Sequence, residues 1–162
     1  MTTDMNQTTP ASQLRAGVED NDVEAVSAAL EAGASARTRG GWGYPLLSQA
    51  AGDGKMAIVE LLLKAGADTE ADKEQCLDNQ AGSGETCFYS GPTALEYAVQ
   101  RGHIHVVKLL LSHGADPSGY NGLCQPMYEA VTRSRAKILR VLHAHGARFL
   151  NERQLLDAKS VA

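Results

Sequence analysis

Residues 93–116 read TALEYAVQRGHIHVVKLLLSHGAD, and this stretch decides the fold. It divides into a segment over Thr93–Ala98, a Gly102-His103 pair and an apolar run over Val106–Leu111. The apolar run is followed by Gly114, and glycine adopts the left-handed conformation of a helix cap at low cost. The spacing predicts two short helices that are joined by a tight turn and share one apolar face.

The same arrangement recurs four times along the chain. A Gly-Ala pair follows an apolar run at Gly33, Gly66, Gly114 and Gly146. An apolar anchor lies 19 residues before each of these glycines, at Leu14, Leu47, Leu95 and Met127. The anchors are 33, 48 and 32 residues apart, which indicates a unit of about 33 residues and one insertion of about 15 residues. A single helix pair cannot bury its apolar face, so we expect neighbouring units to stack around a common core.

These motifs resemble the ankyrin repeat, whose pattern is T-P-L-H-x-A, then G-H, V-V-x-L-L-L and G-A-D. The resemblance implies an all-α ankyrin-repeat solenoid of helix-turn-helix units, with hairpin fingers and one long inter-repeat loop. We expect residues 1–11 to be a flexible tail and residues 12–162 to be a single domain. The expected units cover residues 12–44, 45–92, 93–124 and 125–150, with an insertion at 69–91 and a C-terminal cap at 151–162.

Composition excludes several classes of protein. The 162 residues are 43% apolar and 21% charged, as in an ordinary globular domain. The net charge of −4 disfavours a nucleic-acid binder, which normally carries a basic face. No apolar stretch reaches the roughly 18 residues that a membrane span needs, and residues 1–11 lack the apolar region of a signal peptide. We therefore expect a cytoplasmic protein without membrane insertion.

Aromatic residues concentrate in the finger segments, which contain five of the eight in the chain. Tyrosine and tryptophan dominate the energetics of protein interfaces because they bury a large area at low entropic cost. In ankyrin proteins the finger tips and the exposed face of the first helices form a concave binding surface. Carried over position by position, the resemblance implies that the partner-binding residues are Trp42, Tyr44, Asp53, Tyr89, Ser90, Gln100, Arg101, Tyr120 and Arg133. The expected partner is another protein, and the chain itself is expected to be a monomer or to self-associate weakly.

The insertion carries two cysteines, Cys76 and Cys87, on either side of a Gly82-Ser83-Gly84 segment. Two interpretations are open: free thiols in a cytoplasmic protein, or a disulfide in a periplasmic or secreted protein whose signal peptide has been removed. A redox-responsive role for the pair is a further hypothesis. The acidic residues around the cysteines argue against it, because they are expected to raise the pKa of both thiols.

The sequence contains no recognisable catalytic, metal or cofactor motif. Neither His-Glu-x-x-His nor Cys-x-x-Cys occurs, and the acidic insertion lacks the ligand spacing of an EF-hand. The interpretation favoured by the sequence is a non-enzymatic protein–protein interaction module that inhibits or scaffolds its partner. The alternatives are a bacterial immunity or antagonist protein that neutralises a toxin or effector enzyme, and the redox-responsive protein that uses Cys76 and Cys87.

Overall fold

The structure is a computed structural model that describes residues 9–71, 92–118 and 126–148. These residues form eight α-helices in four antiparallel pairs: α1 Pro10–Asp20, α2 Val23–Glu31, α3 Leu46–Gly52, α4 Met56–Lys64, α5 Ala94–Arg101, α6 Ile104–Ser112, α7 Pro126–Thr132 and α8 Ala136–Ala144. Each pair overlaps one of the four expected units, and the described part of the chain is all-α apart from one isolated β-bridge. The predicted fold class is therefore confirmed.

The helices stack in two layers. The first helices of the units contact one another in the order α1, α3, α5 and α7, and the second helices do so in the order α2, α4, α6 and α8. The residues between the layers form one apolar core. All four sequence anchors lie in this core, and each of their side chains is at most 3% exposed. This arrangement buries the apolar face that a single helix pair would leave in water.

The helix ends follow from local sequence. The side chains of Thr9, Asp22 and Thr93 accept hydrogen bonds from the first turns of α1, α2 and α5. The glycines that follow the second helices have φ between 82° and 92°, at Gly33, Gly66, Gly114 and Gly146. After each glycine, the N–H of the next alanine bonds back to a carbonyl in the last turns of the helix, which is the pattern of a Schellman cap.

One boundary differs from that expected. Helix α1 begins at Pro10, two residues inside the segment assigned to the tail, because Thr9 caps the helix and proline is favoured at its first position. Pro45, the first residue of the second expected unit, lies one residue before α3, at the N-cap. Residues 1–8, 72–91, 119–125 and 149–162, which include most of the insertion and the C-terminal cap, lie outside the described residues.

The finger between the first two units is a short hairpin. Arg39 and Pro45 form an antiparallel bridge, and the Gly40 N–H donates to the Tyr44 carbonyl at 2.8 Å. A single 3-10 turn, Gly41–Gly43, makes the tip. The finger therefore returns the chain to the start of α3 and holds Tyr44 beside that helix.

Neighbouring units are also joined by one basic side chain per junction. Each of these residues immediately precedes a second helix, and each contacts a main-chain carbonyl at the end of the first helix in the preceding unit. The contacts are Lys55 Nζ to the Val18 carbonyl (2.9 Å), His103 Nε2 to the Gly52 carbonyl (3.0 Å) and Arg135 Nη2 to the Arg101 carbonyl (3.2 Å). Carbonyls at a helix end lack partners within the helix, so these side chains satisfy them across the junction.

A glycine-to-alanine pair tests the junction formed by His103. Gly54 has φ of +73°, and a Cβ there would lie 2.6 Å from His103 Nδ1. Gly33 has φ of +92° and no atom within 4 Å of the corresponding position. Gly33→Ala adds only backbone strain, so we expect it to cost about 1–2 kcal/mol of the free energy of unfolding. Gly54→Ala also displaces the imidazole, and we expect it to cost about 1–2 kcal/mol more. Urea denaturation measures both, and equal losses would show that the His103 contact contributes nothing.

Candidate functional site

A groove opens on the face formed by the first helices of the first three units. We call it the first-helix groove, and it is lined by Glu19, Gly41, Tyr44, Ser48, Gln49, Gly52, Asp53, Tyr97 and Arg101. Its volume is about 450 Å³. These residues come from α1, the first finger, α3 and α5, so the groove exists only when three units are stacked.

Two tyrosines form the aromatic part of the groove. The rings of Tyr44 and Tyr97 meet edge to face, with centroids 5.8 Å apart and an interplanar angle of 80°. Both side chains are half-buried. The hairpin holds Tyr44, and Tyr97 lies in the first turn of α5, where a capping box fixes the helix start. Edge-to-face packing is a favourable arrangement of aromatic rings, so the two tyrosines support each other.

The rim of the groove carries charges of both signs. Glu19 and Asp53 lie at the end formed by α1 and α3, and Arg101 lies on α5. Asp53 is paired with Lys55 at 2.8 Å, and the Asp53 side chain is 45% exposed. Glu19 and Arg101 are exposed. The charges at the rim therefore remain in contact with water, where they can steer an approaching molecule.

Ser48 is the most buried residue of the groove and is only 1% exposed. Its hydroxyl has no hydrogen-bond partner among the described residues. A serine in a helix commonly bonds to the carbonyl four residues earlier. Here that carbonyl belongs to Tyr44, which accepts a bond from the Gly40 N–H within the finger. A buried hydroxyl without a partner costs free energy and calls for an explanation.

The structure brings together three of the residues predicted to bind a partner. Tyr44, Asp53 and Arg101 all line the first-helix groove. Gln100 and Arg133 are not among the described residues that line it. Gln100 is half-buried, and exposed Arg133 is paired with Glu129 at 2.8 Å.

The other predicted residues are described in part or not at all. Trp42 belongs to the 3-10 turn at the finger tip, next to Gly41 of the groove. Tyr89, Ser90 and Tyr120 lie outside the described residues, as do Cys76 and Cys87 with their predicted disulfide or redox role. Their contribution to binding stays a prediction.

Sequence reasoning missed Ser48 and Tyr97. A signal for Tyr97 was available, because it lies four residues before the predicted Arg101, and residues at that spacing share one helix face. The same spacing relates Ser48 to Gly52, although nothing in the sequence indicates that the Ser48 hydroxyl lacks a partner. That property depends on which atoms the finger brings to the start of α3.

A second unusual group is the carboxyl of Glu96, in the first turn of α5. Glu96 is 2% exposed, and one of its oxygens accepts a bond from the Thr93 N–H at 2.8 Å. The other oxygen is buried without a partner among the described residues. The pKa of Glu96 is raised to about 7, chiefly by burial and in smaller part by the nearby carboxylates of Glu70 and Glu129, while the hydrogen bonds with Thr93 act to lower it. Sequence reasoning missed this residue too.

The residues that the structure describes contain no metal centre. Within residues 9–71, 92–118 and 126–148, no three histidine, cysteine or acidic side chains lie close enough together to hold a metal ion. In the same ranges, no helix combines the length and the apolarity that crossing a membrane requires. What the groove does offer is aromatic surface, an unpaired hydroxyl and charges at its rim, which are properties of a binding site.

Comparison with known proteins agrees with the repeat structure. The family model for ankyrin repeats (3 copies) matches residues 14–121 and 74–153. The chain is 34% identical over 150 residues to an ankyrin repeat-containing protein of Treponema pallidum (strain Nichols), covering 91% of this chain and 45% of that protein. It is 28% identical over 160 residues to the ankyrin repeat and KH domain-containing protein mask-1 of Caenorhabditis elegans, covering 86% of this chain and 6% of that protein.

The chain thus spans less than half the length of these curated relatives. What the similarity covers is the repeat array, and ankyrin repeats generally mediate interactions between proteins. The four stacked helix pairs, the glycine caps and the match to the family model lead to one conclusion: this chain belongs to the ankyrin repeat family.

Proposed function

We propose that the chain binds a partner protein in its first-helix groove, as a module without catalytic activity of its own. The observation that carries the proposal is the convergence of Tyr44, Asp53 and Arg101 with Tyr97 around one cavity. Aromatic and arginine side chains in a partly enclosed pocket are typical of the few residues that supply most of the energy of an interface. The exposed charges at the rim add speed and selectivity to the encounter.

A pair of charge-reversal variants tests the proposal. Arg101→Glu changes an exposed residue of the groove, whereas Lys108→Glu makes the same charge change at an exposed position of α6. We expect Arg101→Glu to weaken partner binding at least about tenfold, because it replaces the positive charge of the groove with a negative one and removes a contact. We expect Lys108→Glu to bind as the unchanged chain does. The immobilised chain captures the partner from an extract of the source organism, and calorimetry with the purified partner gives the affinities.

The outcomes separate three cases. Loss of binding in Arg101→Glu alone supports the groove as the binding site. Equal loss in both variants would indicate attraction governed only by overall charge. Unchanged binding in both variants would place the site elsewhere and overturn the proposal.

The insertion is tested by replacing residues 72–88 with a short Gly-Ser turn. A partner that is retained by this chain and lost from Arg101→Glu locates binding in the groove. A partner lost with the insertion would indicate that the insertion is a necessary part of the surface. An assay of the captured partner's activity, with and without the chain, then distinguishes an inhibitor or antagonist from a scaffold.

The compartment in which the chain works depends on Cys76 and Cys87. Free thiols fit the cytoplasm, which we propose as the site of action, and a disulfide fits the periplasm or secretion. Mass spectrometry after alkylation of the protein from its native source distinguishes the two. A disulfide would overturn the cytoplasmic assignment.

A further inference from the structure

We infer that the partner presents a segment with a basic block and an acidic block, and that a charge gradient along one edge of the stack sets its direction. This edge, which we call the turn edge, consists of four equivalent stretches at residues 19–22, 52–55, 100–103 and 132–135. Each stretch runs from the end of a first helix to the residue before the second helix. The inference rests on the proposed function and names the chemistry of the partner.

The four stretches are neighbours in space and continue the rim of the first-helix groove. Lys55, His103 and Arg135 each contact a main-chain carbonyl of the preceding stretch, at 3.3, 3.0 and 3.2 Å. Packed helices lie about 8–10 Å apart, so the turn edge is about 25–30 Å long. Glu19 and Arg101 belong both to the turn edge and to the lining of the groove. A segment that enters the groove therefore also meets the turn edge.

Formal charge changes in one direction along the turn edge. The stretch of unit one, Glu-Asp-Asn-Asp, has three acids and no base, which gives −3. The stretch of unit two, Gly-Asp-Gly-Lys, has one of each and is neutral. The stretch of unit three, Gln-Arg-Gly-His, gives +1 with histidine neutral, and that of unit four, Thr-Arg-Ser-Arg, gives +2. A partner that complements this edge has its basic block over unit one and its acidic block over units three and four.

The stability of the helices does not account for the acidic end. Carboxylates are unfavourable near the C-terminus of a helix, because the helix dipole places partial negative charge there. Glu19 and Asp20 nevertheless form the last turn of α1, and that turn contains no basic residue. Both are exposed, and none of the ion pairs between described residues involves either of them or Arg101. These charges are therefore available to a partner.

The other charges of the turn edge are partly balanced within the chain. Asp53 pairs with Lys55 in unit two, and Arg133 pairs with Glu129 of α7 in unit four. Both pairs are at least partly exposed, so they remain accessible to water. The strongest contrast on the edge is thus between the unpaired acids of unit one and the unpaired Arg101 of unit three.

Apolar side chains beside the turn edge supply contact area. Val23 and Met56 are the first residues of α2 and α4, directly after the turn edge, and they are 39% and 47% exposed. Exposed ion pairs add little affinity and chiefly orient an encounter, whereas burial of aliphatic side chains is favourable. The segment that fits best therefore has an aliphatic residue between its two blocks. Two units separate the blocks, a distance of about 20 Å or about six residues of extended chain.

Two peptides of identical composition test the inference. The block peptide is acetyl-KKKGLGEEE-amide, the mixed peptide is acetyl-KEKGLGEKE-amide, and both have zero net charge. Each is titrated into the full chain, and nitrogen-15 NMR spectra give the affinities. We expect the block peptide to bind about tenfold more tightly at low salt, because only its blocks match the gradient. In about 0.5 M sodium chloride the preference should fall to about twofold or less, since salt screens exposed charges.

A nitroxide label reports the direction of the bound block peptide. At the lysine end, the label should broaden the amide signals of residues 19–22 more than those of residues 132–135. At the glutamate end, it should do the opposite. The reverse pattern, or equal broadening of both stretches, would overturn the inference.

Two double variants of equal charge isolate the turn edge. Arg101→Glu with Arg133→Glu changes unit three from +1 to −1 and unit four from +2 to 0. This variant should bind the peptide acetyl-KKKGLGKKK-amide more tightly than the block peptide. Lys108→Glu with Arg140→Glu makes the same charge change at exposed positions of α6 and α8 and should keep the preference for the block peptide. The single variant Arg101→Glu breaks no ion pair, and it should lower that preference to about threefold.

The results separate failure of this inference from failure of the proposed function. Equal binding of the block and mixed peptides, or no binding of either, would overturn the inference. Tighter binding of the all-lysine peptide to the unchanged chain would also overturn it, since the partner would then be uniformly basic. If one of these occurs while capture of the partner still depends on Arg101, only the two-block inference is wrong. If capture is also independent of Arg101, both are wrong.

Discussion

Replacing Glu96 with glutamine is expected to raise the free energy of unfolding at pH 8 by about 2 kcal/mol, and to leave it nearly unchanged at pH 4. The Glu96 carboxyl has a pKa of about 7 in the folded chain, against an ordinary value of 4.5. The folded state therefore holds this proton more tightly than the unfolded state does. The free energy of unfolding therefore falls as the pH rises from about 4.5 to about 7. Above that range the Glu96 carboxyl adds no further pH dependence.

Glutamine keeps the rest of the local structure. The Thr93 N–H donates to one Glu96 oxygen, and the Glu96 N–H donates to Thr93 Oγ1, which together make a capping box. Glutamine serves in a capping box as glutamate does, so the helix start is preserved while the buried charge is removed. The variant thus separates the cost of ionisation from the benefit of the cap.

Urea denaturation at five pH values between 4 and 8 measures the effect. Glu24→Gln, at an exposed position in the first turn of α2, is the matched control and should change the free energy of unfolding by less than about 0.5 kcal/mol. Glu129→Gln should reduce the pH dependence in part, because the Glu129 carboxylate helps to raise the pKa of Glu96. A wild-type profile that is flat from pH 5 to pH 8 would contradict the expectation.

Leu110→Ala is expected to lower the free energy of unfolding by about 3 kcal/mol. Leu110 is 0% exposed, and it lies in α6, which packs between α4 and α8. Truncation leaves a cavity in the middle of the stack and weakens both junctions of the third unit. In a repeat protein, stability depends on such contacts between neighbours, so a central unit is a sensitive position.

The measurement is again urea denaturation, now at a single pH. Lys108→Ala, two residues away on the exposed side of α6, controls for changes in helix propensity and should cost less than about 0.5 kcal/mol. If Leu110→Ala costs less than about 1 kcal/mol, then α6 is not packed between its neighbours as described.

Much of the fold was predictable because its signals are local. The 3.6-residue periodicity of the apolar runs, the four Gly-Ala caps and the anchor spacing each depend on residues within one unit of about 33 positions. The start of α1 was misplaced by two residues because unit one retains little of the repeat pattern. Where the repeat pattern is missing, the Thr9 cap and Pro10 set the start of the helix.

The site was predictable only in part. Tyr44, Asp53 and Arg101 came from positions that the family pattern marks as exposed, and all three line the first-helix groove. Tyr97 could have been selected, because it shares a helix face with the predicted Arg101. Ser48 could not, because its relevance depends on which atoms the finger brings to the start of α3. Gln100 and Arg133 were selected from the same family pattern, but they are not among the described residues that line the groove.

The sequence by itself determined the helical pairs, their number and their order, since caps and periodicity act between residues that are close along the chain. Only the tertiary structure decided which side chains meet across units. Stacking brought Glu19, Asp53 and Arg101 to one rim, left the Ser48 hydroxyl without a partner, and placed Glu70 and Glu129 near the buried carboxyl of Glu96. The physical reason is that burial and electrostatics depend on distance in space, and the groups concerned are separated by tens of residues in the sequence.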